Sequence, residues 1–377
     1  MSNQPSARWQ PIQPVPAAQP PVAPAVKHET NAEIPPESGQ SSQAVSVPAM
    51  PQFPKLEADP EIPSYRTRVS SGHTQIDWSG FSYEDEGRLY QGYDPGAYSL
   101  PNDGAEQDRL DFQHTITGFI LDGRLNLAPI VSPKNVLDIG AGTAERNPDC
   151  LVTGTDLCLI QAPPNTSNCI FILENSETQE WAFPYTFDYI HIRNVGPCFD
   201  DIRTVLRKSY EFMTPGGWIE LQDGDWQPKS IDGSLEGTAL QRWFGMVIAA
   251  GQRMGRDMLT APQFKDNLLQ SGFVAVQENV YQIPSSAWAR GGKAKRLGRY
   301  VTTVWLDIVD SYHKFLLAAG HSLADVDELV PAVKRDLLDL RIHWHLETYF
   351  VYGRKCLPRY GENLPMPSEL IMQRPAF

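Results

Sequence analysis

"NVLDIGAGTAERNPDCLVTGTDL", residues 135–157, holds two short apolar runs, with a glycine turn after the first and an acid at the end of the second. Apolar runs of this length, bounded by turn residues, are the pattern of strands buried on both faces of a parallel sheet. Gly140 and Gly142 permit conformations and close approaches that a side chain forbids, so a ligand can rest directly on this backbone. Asp156 ends the second run, where a carboxylate can accept both hydroxyls of a ribose. The turn alone does not separate a dinucleotide enzyme from one using another nucleoside cofactor, or from a turn shaped only for packing.

Working outward, "CIFIL", "FDYIHIR" and "GGWIELQD" read as further buried strands, and "DDIRTVLRKSYEFM" as a helix with Ile202, Val205, Leu206, Tyr210 and Met213 at helical spacing. Alternating strands and helices predict an α/β fold, a mostly parallel sheet flanked by helices. A helix is expected from Asp103 to about Asp122, and others near 236–254, 260–271, 294–319 and 323–340. "GFVAVQENVYQI" and "HLETYFVYGRK" are expected to extend the same sheet. Residues 1–60, rich in Pro, Ala, Gln and Ser, read as a disordered tail; the folded domain is assigned to 61–360 and a C-terminal extension to 361–377.

The net charge of −13 repels phosphates and anionic lipid, which argues against general nucleic-acid or membrane binding. Five cysteines without a C-x-x-C pair, and no apolar leader, predict reduced thiols in a cytoplasmic or nuclear, non-secreted protein, with no metal. The tail offers proline motifs to a protein partner.

The D-x-G-x-G form, the acid at the next strand end, the polar "ENSETQEW", the strand "FDYIHIRNV" and the turn "MTPGGWIEL" resemble, in this order, class I S-adenosylmethionine-dependent methyltransferases. More narrowly, "RLYQGYDPGAYSLPNDGAEQDRLDFQH", "GTDLCLIQAPPNT", "DYIHIRNV", "TPGGWIELQD" and "YFVYGRK" resemble the LaeA-like family of fungal methyltransferases, associated with secondary-metabolite pathways and their regulation. The resemblance implies a Rossmann-like class I methyltransferase fold with S-adenosyl-L-methionine as cofactor. It implies that Asp138, Gly140 and Gly142 line the methionine and ribose side, and that Asp156 holds the ribose. Asn175 and Ser176 fall near the adenine, where the family commonly has an acidic pair.

The expected substrate is a small-molecule acceptor; the alternative is a noncatalytic methyltransferase-like accessory or regulatory protein. No residue is assigned as catalyst, because methyl transfer rests on positioning and desolvation. His191, Arg193, Glu220, Asp223 and Asp225 stand at strand ends that face the ligand region of such sheets. Trp288, Trp305 and Trp344 are candidates for an aromatic acceptor pocket, with core packing as the plainer reading. His343 and His345 would share a face of a strand, and the basic run Arg290–Arg299 reads as a solvated opening of a helix.

The connection between the first two strands is short. A parallel crossover takes about a dozen residues, mostly helix. Here Pro148 disfavours helix at Asn147, which leaves Thr143–Arg146, about one turn. A shortened first crossover would remove apolar cover and helix N–H groups beside the cofactor. A natural variant that still binds cofactor, a protein that has lost catalysis, and a misplaced exon boundary all fit.

Overall fold

Runs rich in β-branched residues alternate with capped helices, and a computed structural model describing residues 82–85, 87–141, 150–158 and 168–357 shows how they assemble. A hairpin of β1 (Ser82–Asp85) and β2 (Arg88–Gln91) precedes α1 (Gly104–Ile120). Then come β3 (Asn135–Ile139), β4 (Leu151–Asp156), β5 (Cys169–Leu173), β6 (Phe187–Arg193), α2 (Ile202–Phe212) and β7 (Met213–Gly224). The remainder comprises β8 (Lys229–Ser230), α3 (Ala239–Arg253), α4 (Phe264–Gln270), β9 (Val274–Pro284), α5 (Gly292–Ser311), α6 (His313–Ala318), α7 (Leu323–Leu338) and β10 (Trp344–Arg354).

The sheet runs β5-β4-β3-β6-β7-β10, with β9 and the short β8 also paired to β10. Strands β3 to β7 are mutually parallel, whereas β10 is antiparallel to β7 and β9. This is the class I methyltransferase architecture implied by the sequence. The chain order reverses at β3, which has β4 on one side and β6 on the other, and such a switch point opens a crevice at the carboxyl edge. Because β10 runs backwards, its first residues reach the same edge: Thr348 lies opposite Gly224, the last residue of β7.

Both faces are covered, which is why the strands read as near-continuous apolar runs. On one face Leu137, Ile139, Ile190, Ile219 and Leu221 pack with Val205 and Leu206 of α2 and Leu268 of α4. On the other, Tyr189, Phe350 and Tyr352 meet residues of α1, α3, α5 and α7, among them Ile116, Trp243, Val304 and Val333. Helix starts follow local chemistry: the Asp103, Asp201, Thr238 and Ser322 side chains accept backbone N–H groups in the first turns of α1, α2, α3 and α7.

The expected helices appear, with one difference. The stretch read as one helix over 294–319 is divided at Tyr312, whose ring packs against Trp226, Trp243 and Phe315. The β1–β2 hairpin was not anticipated, because its residues carry no strict alternation. Among the described residues, no helix is long and apolar enough to cross a membrane. The calls on the tail, the domain start at 61, Gly142, the first crossover and the 361–377 extension lie outside the described residues.

Period-two alternation puts Glu220 on the face opposite Leu221, and it stands four residues before the end of β7 at Gly224. Its fully buried carboxyl group accepts the N–H groups of Leu127 and Ala128 at 2.9 and 2.8 Å and the Gln222 amide at 2.8 Å. Glu220 thereby pins the segment that leads into β3.

Candidate functional site

A cleft of about 520 Å³ opens at the carboxyl ends of β3, β4, β5 and β6. Its size lies within the usual range of small-molecule sites, about 300–1,000 Å³. Asp138, Gly140, Asp156, Asn175 and Ser176, five of the residues singled out from the sequence, all line it. The sixth, Gly142, is outside the described residues.

The glycine turn is shaped by its neighbours. Gly140 has φ of 70°, and a Cβ there would stand 2.5 Å from Cγ1 of Val195. The Gly140 and Ala141 N–H groups both donate to the Thr155 carbonyl, at 2.8 and 3.1 Å, which ties the turn to the end of β4. One residue on, Asp156 closes β4, and its Oδ1 accepts the Cys158 N–H at 3.1 Å. Burial, with Asp156 nearby, pushes the Cys158 thiol up, so it stays protonated.

The wall after β5 is a built loop. Asn175 Oδ1 accepts the N–H groups of Glu177 and Thr178 at 3.0 and 3.2 Å, while its Nδ2 donates to Asp94 at 2.6 Å. The Ser176 hydroxyl lies 2.9 Å from that of Thr155. Beneath them the buried Lys208 ammonium donates to the carbonyls of Ser176, Glu177 and Gln179, at 3.3, 2.8 and 2.6 Å. Burial lowers the Lys208 pKa. Asn175 and Ser176 therefore shape this wall, and its acid is Glu174, whose pKa burial raises.

Sequence reasoning missed Glu174, Asp94 and Arg256. The Arg256 guanidinium donates to the carbonyls of Cys198 and Ala97 and pairs with Asp200 at 3.0 Å, joining the two rims of the cleft. Asp94 and Ala97 belong to "YDPGAYSLPND", a stretch that already carried the family resemblance, so the signal was present without its geometry.

The strand-end candidates separate. Arg193 lines the cleft and donates to Nδ1 of His114 at 2.7 Å. His191 does not line it: Nδ1 is hydrogen-bonded to Asp138 at 2.8 Å, and Nε2 is buried without a partner. It faces a second hollow of about 440 Å³ against the sheet, shared with Asp138, Val136 and Val152.

Asp223 and Asp225 line a third cavity of about 170 Å³, beside the cleft and sharing Tyr98, Leu110, Asn194 and Cys198 with it. Its wall is largely apolar and includes Trp226, Trp305, Tyr312 and Trp344. Burial pushes the Asp223 carboxyl up to about 6, although the Gly196 and Gly224 N–H groups that it accepts oppose the shift. The Cys198 thiol is pushed up to about 12 by burial and by Asp223. Trp288 stands apart: it packs with Ala289 and Ala294 and donates to the Trp344 carbonyl.

His343 is paired with Asp232 at 2.6 Å, and both ring nitrogens of His345 are buried without partners. Among the described residues, no group of three or more His, Cys, Asp or Glu side chains is placed to hold a metal. The basic run opens α5, with Lys293 paired to Asp122.

A methyltransferase-domain family model matches residues 112–278. The methyltransferase pytC of Aspergillus terreus is 31% identical over 313 residues, which is 80% of this chain and 96% of its own length. The secondary metabolism regulator laeA of Monascus pilosus is 30% identical over 354 residues, 88% of this chain and 94% of its own. A protein-methionine methyltransferase laeA of Emericella nidulans is 28% identical over 288 residues, 73% of this chain and 77% of its own. Matching such relatives at 30–31% identity over nearly their whole length, the chain belongs to the LaeA-like family of fungal methyltransferases.

Proposed function

We propose that this protein is an S-adenosyl-L-methionine-dependent methyltransferase that modifies a small-molecule acceptor of fungal secondary metabolism. The observation that carries the reading is the 520 Å³ cleft, which gathers the glycine turn, Asp156 and the Lys208-supported loop at the switch point of the sheet. The donor set suits the cofactor: a strand-end carboxylate for ribose hydroxyls, a polar loop for the adenine, and a close backbone turn for the remainder. In this reading Asp138, Gly140 and Gly142 border the methionine and ribose side, Asp156 takes the ribose, and Asn175 and Ser176 shape the adenine wall beside Glu174.

When bound, the cofactor supplies an electrophilic methyl group. The protein's own task is to hold the acceptor in line and keep water out, and the Arg256 clasp between the rims serves the second purpose. A small-molecule acceptor is favoured by the apolar cavity beside the cleft, which is closed on most sides by core residues.

The test is to incubate the full chain with methyl-labelled S-adenosyl-L-methionine and an organic extract of fungal culture. Label is expected in an extractable product. Label found only in the protein would replace the small molecule with a protein acceptor, the activity for which one relative is named. Failure of the folded chain to bind the cofactor in titration calorimetry would support the noncatalytic accessory or regulatory role instead.

Lys208 supplies a separate check. Lys208→Met removes the ammonium donor from the carbonyls of Glu177 and Gln179, while the Ser176 carbonyl keeps the Trp181 indole N–H at 2.9 Å. Leaving such groups unsatisfied costs about 1–3 kcal/mol, so cofactor affinity should fall by roughly tenfold as the loop loosens. Unchanged affinity, by calorimetry on a variant with normal circular dichroism, would show that this loop does not set the site.

A further inference from the structure

We infer that the 170 Å³ cavity is the acceptor chamber, that it takes a single aromatic ring bearing a hydroxyl or amine, and that Asp223 accepts the hydrogen bond from that group. The inference rests on the proposal that the neighbouring cleft holds the methyl donor.

Size is the first argument. Close-packed interiors keep few voids larger than a water molecule. An apolar cavity of about 150 Å³ accommodates benzene, so this one is matched to one ring and not to a fused polycyclic system. The space persists beside residues large enough to fill it: Trp226 and Trp305 meet edge to face at 5.6 Å, and Trp226 and Tyr312 lie 4.9 Å apart. Edge and face contacts of this kind are the arrangement that an inserted ring would extend.

Position is the second argument. The chamber and the cleft meet at Tyr98, Leu110, Asn194 and Cys198, so a ring seated in the chamber presents its substituent toward the cleft. Asp223 stands at this junction. Its Oδ2 accepts the Gly196 N–H at 2.9 Å, next to Pro197 and Cys198, both of which line the chamber. Asp225 also lines the chamber, but its Oδ1 accepts the Gln227 N–H, and its charged neighbours are Lys229 and Glu347.

Chemistry is the third argument. Each Asp223 oxygen accepts one backbone N–H, from Gly196 or Gly224, and each oxygen has capacity for a second bond. The raised pKa, about 6, makes Asp223 a better proton acceptor than an exposed carboxylate while leaving it mostly ionised near neutrality. Cys198 and Tyr312, which also line the chamber, are held uncharged by burial.

The test uses the full chain saturated with S-adenosylhomocysteine and the probes phenol, aniline and toluene, followed by saturation-transfer NMR and calorimetry. Phenol and aniline should bind saturably, and phenol should exceed toluene by roughly tenfold, the scale of a hydrogen bond to a charged acceptor. Asp223→Asn should bring that preference down several-fold. Val301→Trp, which fills the chamber from α5, should weaken all three probes more than tenfold while S-adenosylhomocysteine still binds. Ile308→Phe serves the same purpose if the first variant does not fold.

If S-adenosylhomocysteine binds but neither phenol nor aniline does, or if both filling variants leave probe binding unchanged, the chamber assignment is overturned on its own. A phenol preference that survives Asp223→Asn removes Asp223 from its role. If the folded chain does not bind S-adenosylhomocysteine, the cofactor reading fails and the chamber assignment falls with it.

Discussion

Asp156→Ala is expected to weaken S-adenosyl-L-methionine binding by at least about 100-fold, because in the proposed reading two ribose hydroxyls lose a charged acceptor worth about 1.5–3 kcal/mol for each hydrogen bond. The side chain stands at the last residue of β4, in the wall of the cleft and one residue beyond the Thr155 carbonyl that fixes the glycine turn. The Cys158 N–H and thiol lose an acceptor in the variant, a local loss at the end of β4. Calorimetry gives the affinity, and thermal unfolding without ligand gives the control. An affinity loss under about threefold, with the melting temperature unchanged, would mean that ribose recognition lies elsewhere.

Glu220→Ala should instead strike the fold, with a loss of about 3–5 kcal/mol, because several buried donors are left without an acceptor at once. Those donors are the N–H groups of Leu127 and Ala128, the Gln222 amide and the Tyr189 hydroxyl, which lies 3.3 Å away. Gln222 also donates to the Leu125 carbonyl, so the whole 125–128 segment is fastened to β7 by this pair. Urea unfolding monitored by circular dichroism measures the effect. Glu220→Gln retains an acceptor oxygen and should lose distinctly less. Equal losses for the two variants would assign the effect to volume and not to hydrogen bonding.

The two glutamates show where legibility in the sequence ended. Glu220 was grouped with Asp223 and Asp225 as a strand-end acid, because their positions in the chain are nearly the same. Period-two alternation sends Glu220 to one face and Asp223 to the other, and Glu220 lies four residues before the end of β7, where the 125–128 segment covers it. Glu174 lies one residue before Asn175, a distance within the usual error of locating a strand end, yet it is the acid that the loop after β5 presents to the cleft. The family resemblance places Asn175 near the adenine; it lines the cleft, where its side chain closes an Asx turn and reaches Asp94, a partner 81 positions away.

Strand runs, helix caps and the glycine turn were readable because their causes lie within a few residues: side-chain period, capping hydroxyls and carboxylates, and the positive φ that Gly140 alone tolerates without strain. Those local causes were enough for the α/β class and for the part of the cleft built on β3 and β4. The clasp of Arg256, the Asp138–His191 pair and the ring-sized chamber depend on contacts between distant segments. The chamber in particular exists because β10 enters antiparallel beside β7 and carries Trp344 to the carboxyl edge, where α5 and its Trp305 close over it. No window of sequence encodes that meeting, because its energy comes from side chains that become neighbours only when the sheet is complete.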